Sequence, residues 1–170
     1  MRVFLAALVD AAERLCRLGI LLSSLVLIGA VLVQVSGRIP GIQPPAWTEE
    51  VARFALVYVV AFSCGVALLR GELVNVDLVT SKLPAPVARI VEKLVDLLIA
   101  GFSLAIIPGA WAYVAGSLGE RARTIDMPMM WVYAVALIIP VALAFFALAR
   151  LLGFARRQND ADAAAHGELV

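Results

Sequence analysis

The chain has 170 residues, 63% of them hydrophobic, and a formal net charge of +1. Soluble domains average about 45–50% apolar residues and leave much of their surface wet, so these proportions exclude an ordinary soluble fold in favour of one solvated by lipid. The near-neutral charge gives no electrostatic footing for nucleic acid, and a single histidine, His166, excludes a haem held by paired axial histidines.

Met1–Arg17 reads as an amphipathic lead-in, with Phe4, Leu5, Leu8 and Leu15 on its apolar side. The first span follows at about Leu18–Val35 and carries no charge. A helix rising about 1.5 Å per residue needs about 20 residues to cross a hydrocarbon core about 30 Å thick. This run begins after Asp10, Glu13, Arg14 and Arg17 and is longer than a signal-peptide core, so it is read as a retained helix.

GIQPPAWTEEVARF, Gly41–Phe54, then opens the second span, about Val51–Leu69. Pro44 and Pro45 favour a helix start, and Thr48 is expected to cap it. Glu49 and Glu50 fall in the first turn, where the helix dipole favours acids. Both are within reach of Arg53 on one face, and Trp47 suits the headgroup level. Trp47, Thr48, Glu49, Glu50 and Arg53 are therefore candidates for anchoring the helix and docking a second membrane subunit. Hydrogen-bonded charges impose a register that greasy packing does not.

RGELVNVDLVTSKLPAP, Arg70–Pro86, is too short and too polar to span. Its apolar positions, among them Leu73, Val74, Val76 and Leu78 beside the polar Asp77, suit a helix lying along the interface over about residues 72–83. Pro84 and Pro86 end it. Val87–Asp96 reads as a charged prolongation of the third span, with pairs expected at Arg89–Glu92 and Lys93–Asp96.

The third span is about Leu97–Leu118 and the fourth about Met129–Leu151. Pro108 and Pro140 lie inside them, where proline removes a backbone donor and kinks a helix. Ala61-x-x-x-Gly65, Gly101-x-x-x-Ala105 and Ala112-x-x-x-Gly116 allow close helix contact. The polar residues 156–170 form a tail expected to be disordered, leaving residues 1–155 as one membrane domain.

Basic residues set the orientation. Ten lie on one side (Arg2, Arg14, Arg17, Arg70, Lys82, Arg89, Lys93, Arg150, Arg156, Arg157) and three on the other (Arg38, Arg121, Arg123). Arg53 is left uncounted within a span. The expected fold is an all-α integral membrane protein with four transmembrane helices, a short interfacial amphipathic helix and both termini cytoplasmic. The loop Gly119–Pro128 then faces outward, and Glu120, Arg121, Arg123 and Asp126 become candidate contacts for an external protein.

Transporters place polar groups near the bilayer centre. Here the deep candidates are only Ser23, Ser24, Ser63, Cys64 and Ser103, none ionisable at neutral pH in an ordinary setting. Hydroxyls in membrane helices commonly bond their own backbone or a neighbouring helix. No phosphate loop, catalytic carboxylate pair or nucleophile–base set appears, so no catalytic, metal or cofactor site is expected. Cys16 and Cys64 form no CxxC pair. A helper that holds another membrane protein fits best.

The order of these features resembles the small membrane subunit of a tripartite ATP-independent periplasmic (TRAP) transporter. The matching residues are Trp47, Thr48, Glu49, Glu50 and Arg53; then Val74, Val76, Asp77 and Leu78; then Pro128, Trp131 and Tyr133. Leu73 stands where many relatives carry a histidine. The resemblance implies a periplasmic solute-binding protein that delivers a carboxylate, such as a C4-dicarboxylate or a sialic acid, to a large membrane subunit. That subunit moves it inward with sodium ions in the inner membrane. The small subunit braces it without carrying substrate. Three other readings stay open: a scaffold subunit of another membrane complex, a four-span redox enzyme, which would need paired outward-facing cysteines, and a small efflux pump, which would need an acidic residue in its first span.

Overall fold

A computed structural model describes residues 2–37, 45–71, 85–122 and 127–154. The interfacial segment with Leu73, Val74, Val76, Asp77 and Leu78, the residues Arg123 and Asp126, and the tail 156–170 lie outside these.

The described chain is helical apart from one bridged pair, Arg121–Pro128. The helices are α1 (Arg2–Ser36), α2 (Trp47–Arg70), α3 (Ala85–Gly116), α4 (Met130–Tyr133) and α5 (Val135–Leu151). Three stretches are long and apolar enough to cross a membrane: Val3–Ser36, Trp47–Arg70 and Met130–Leu151. The fourth expected span, Leu97–Leu118, falls on α3.

The lead-in and first span are one unbroken helix of 35 residues. At about 1.5 Å per residue it is about 52 Å long, well beyond a hydrocarbon core of about 30 Å. Its first turns have two sides. Phe4, Leu8 and Leu15, on the apolar side, are 73%, 45% and 68% exposed, whereas Val9 is 6% and Glu13 2% exposed. The inward stripe runs through Val9 and Glu13, one turn apart, and leaves the apolar side of the lead-in to lipid or a partner.

Pro108 and Pro140 lie within α3 and α5, which are helical on either side of them. In the last span α4 passes into α5 at Ala134, which keeps right-handed helical dihedrals (φ −55°, ψ −26°) and bonds to Met130 and Ile138. α5 ends in a Schellman motif: Gly153 takes φ 89°, its N–H reaches the Arg150 carbonyl at 2.9 Å, and Phe154 N–H reaches Ala149 O at 3.0 Å. Glycine adopts that left-handed conformation without a Cβ penalty. Gly71, at φ 78°, ends α2 in the same region of backbone space.

The helices form a row. α2 packs between α1 and α5, and α5 packs between α2 and α3. The core lies toward one end of the helices, where Val9 of α1, Leu68 and Leu69 of α2, Ala100 of α3 and Phe146, Ala147 and Ala149 of α5 meet. Of the three small-residue motifs, Ala61-x-x-x-Gly65 is buried, and its glycine lies against Phe146 and Ala142 of α5. Gly101, Ala105, Ala112 and Gly116 are exposed, and neither glycine has an atom within 4 Å of where a Cβ would stand. Leu21, Leu22, Leu25, Ile28 and Leu32 of α1 are also exposed. An apolar surface of this extent needs lipid or a membrane partner against it.

Candidate functional site

The proline pair leads into α2, but Thr48 does not cap it. Ala46 is the N-cap residue and makes no side-chain cap bond. Thr48 is one residue inside the helix and 2% exposed, and its hydroxyl donates back to the Pro45 carbonyl at 2.8 Å. It fastens the entry of the chain and faces inward. The neighbouring residues face outward. Trp47 is 45% exposed, and Arg53 donates to Glu49 at 3.3 Å with both side chains largely in the open. Glu50 is half-buried.

This end also gathers aromatic side chains. The three tryptophans, Trp47, Trp111 and Trp131, are all exposed. They stand at the start of α2, near the end of α3 and in α4, a level at which amphipathic rings favour the headgroup region. Tyr58 of α2 donates to the Trp131 carbonyl, and Tyr113 and Tyr133 pack with ring centroids 5.0 Å apart.

The loop between α3 and α4 is folded back on itself. Ala122 N–H bonds Met127 O, and Met129 N–H bonds Glu120 O, both at 2.9 Å. Tyr133 Oη donates to the Glu120 carboxylate at 3.0 Å. Of the candidate outer contacts, Glu120 and Arg121 are exposed, and Glu120 is already engaged by this internal bond.

Toward the middle of α2 the polar side chains turn to their own backbone. Ser63 Oγ donates to Val59 O at 2.7 Å, and Cys64 Sγ lies 3.2 Å from Ala61 O. Ser103 is buried on α3. Among the described residues, no three His, Cys, Asp or Glu side chains are grouped to hold a metal ion.

The opposite end holds polar chemistry that the sequence reading missed. Asp96 is not the partner of Lys93. It is 5% exposed and meets Arg150 of α5, with Nε 3.1 Å from Oδ1. Arg150 Nη1 also donates to Leu68 O at 2.5 Å. Glu13 accepts from Arg17 at 2.5 Å and from Arg70 of α2 at 3.5 Å. A signal was present. Arg17, Arg70 and Asp96 each directly flank an expected span, and Arg150 is the next-to-last residue of one, so all four fall at the same boundary. Spacing along one helix cannot show which helix supplies the partner.

The arrangement therefore has a charged, buried knot at one end, an aromatic belt at the other, and apolar faces between. No curated protein sequence matches the chain. The family model for the tripartite ATP-independent periplasmic transporters, DctQ component, matches residues 27–157. Its helices and this family point to a multi-pass protein of a bacterial inner membrane, a transporter component rather than a member of an enzyme family. The chain belongs to the DctQ family, the small membrane component of TRAP transporters.

Proposed function

We propose that the protein is a non-transporting brace. It crosses the membrane four times with both termini in the cytoplasm and holds the large membrane subunit of a sodium-coupled importer of organic acids, which a periplasmic solute-binding protein supplies. α3 is the remaining span in this reading, and the ten-to-three bias of basic residues supports the orientation.

One observation carries the reading. The helices are laid side by side, with broad apolar faces left over on α1 and α3. Such a row has lateral surface to give to a partner. The described hydroxyl and thiol of mid-α2 are spent on their own helix, which leaves them poorly placed to coordinate a solute. At the outer mouth, Trp47, Glu49, Glu50 and Arg53 are the proposed docking group. Thr48 serves it from inside by fixing the start of α2. Glu120, Arg121, Arg123 and Asp126, between α3 and α4, are the proposed contacts for the binding protein.

Co-expression with the large subunit tests the reading. The two should co-purify in mild detergent, and fusion reporters at either terminus should report the cytoplasm. Failure to co-purify, or a terminus on the outside, would contradict it.

A further inference from the structure

At the helix ends opposite the aromatic belt, two buried carboxylates and three arginines from four different helices converge near the last turn of α2. Asp96 of α3 and Glu13 of α1 supply the acids; Arg150 of α5, Arg70 of α2 and Arg17 of α1 supply the cations. An ionised carboxylate cut off from water is costly unless a cation and hydrogen bonds replace the solvent. A helix C-terminus likewise leaves carbonyls unpaired at the negative end of its dipole.

Arg150 answers both needs at once. Its Nε lies 3.1 Å from Asp96 Oδ1, and its Nη1 donates to the Leu68 carbonyl at 2.5 Å. That carbonyl also accepts the Gly71 N–H at 3.0 Å. The planar, forked guanidinium can face two acceptors in different directions with fixed geometry; an ammonium group is a point charge and has no such fork. Its side chain is 16% exposed, so water does little of this work.

Chain order gives the arrangement a consequence. Leu68 and Asp96 are synthesised before Arg150, which arrives in the last turn of α5, the last helix among the described residues. The Glu13–Arg70 contact needs only α1 and α2 and is complete earlier. We propose that Arg150 is the closing residue of the bundle. Until α5 brings it in, α3 carries an uncompensated acid, and the Leu68 carbonyl has only the Gly71 N–H as a donor. Its arrival joins α2, α3 and α5 into one body and commits the subunit to its assembled form.

The test uses the full chain, expressed in membranes and then purified in detergent, with Arg150→Met, Arg150→Lys, Asp96→Leu and the double variant Asp96→Leu/Arg150→Met. Arg150→Met should lower the melting midpoint by about 10 °C, since it strands a buried acid, and should shorten the protein's survival in membranes after translation is stopped. Adding Asp96→Leu should recover at least half of that loss, because no acid is then left unpaired. Arg150→Lys keeps the orienting charge; it should leave the termini where they were yet melt between the parent and Arg150→Met. An Arg150→Met midpoint within about 2 °C of the parent would overturn the proposal, being no more than an ordinary surface substitution gives. So would a double variant less stable than Arg150→Met, or Arg150→Lys as stable as the parent. If Arg150→Met does not accumulate at all, accumulation of the double variant supports the proposal, and equal failure of both overturns it.

Discussion

Gly65 of α2 lies so close to Phe146 of α5 that a Cβ placed on it would stand 2.7 Å from the ring's Cδ2 and 3.1 Å from the Ala142 Cβ. Phe146 is 1% exposed and has no room to swing aside. Gly65→Ala is therefore expected to destabilise the isolated subunit by about 1–3 kcal/mol, the usual cost of overpacking. Gly101→Ala is the control, because a Cβ there meets nothing. Its melting midpoint in detergent should stay level or rise, as alanine favours helix over glycine. Equal losses at both positions would mean that α2 and α5 are not packed as described.

On α1 the inward stripe makes a second forecast. Val9→Ala should cost about 1–2 kcal/mol through lost burial and a residual cavity. Phe4→Ala removes more surface but from a side chain that is 73% exposed, so it should melt close to the parent in detergent. The reverse ranking would mean that α1 does not pack through Val9.

Composition and run length locate the helices well, because the need to satisfy backbone polar groups in lipid leaves few alternatives. What a run of apolar letters does not encode is direction. In water, burial selects the apolar face, but in a bilayer both faces of a helix can be apolar, and the few polar contacts decide the rotation. On α1 it is Glu13, and on α3 Asp96, that turns to a cation of another helix. Thr48 shows the same limit on a smaller scale: its residue type suits a cap, but the helix starts a residue before it and turns its hydroxyl back to Pro45. The candidate docking residues Trp47, Thr48, Glu49, Glu50 and Arg53 stood out in the sequence as a motif. The charged knot at the other end was legible only as charges at a common level.

The Glu49–Arg53 pair separates anchoring from docking. Both side chains are exposed, at 78% and 68%, and pairs of that kind contribute less than about 1 kcal/mol. Glu49→Ala and Arg53→Ala should leave the isolated subunit's melting almost unchanged. If the pair docks the large subunit, the double variant should nevertheless lose co-purification with it as salt is raised. Retained co-purification at high salt would confine the pair to surface decoration.

Tyr133→Phe tests what closes the connection between α3 and α4. Without its hydroxyl, the Glu120 carboxylate loses an internal donor. The amides of Ala122 and Met129, which close the loop, should then exchange their hydrogens faster than in the parent, while amides of mid-α5 should not change. Unaltered exchange at Ala122 and Met129 would show that the backbone bonds alone hold the loop.

Solute uptake into vesicles tests the bracing role most directly. Vesicles should be prepared with this chain alone, with the large subunit alone, and with both, each supplied with the binding protein, a labelled organic acid and a sodium gradient. Uptake is expected only where both membrane subunits are present. Sodium-driven accumulation by this chain alone, or full uptake without it, would contradict the role assigned here.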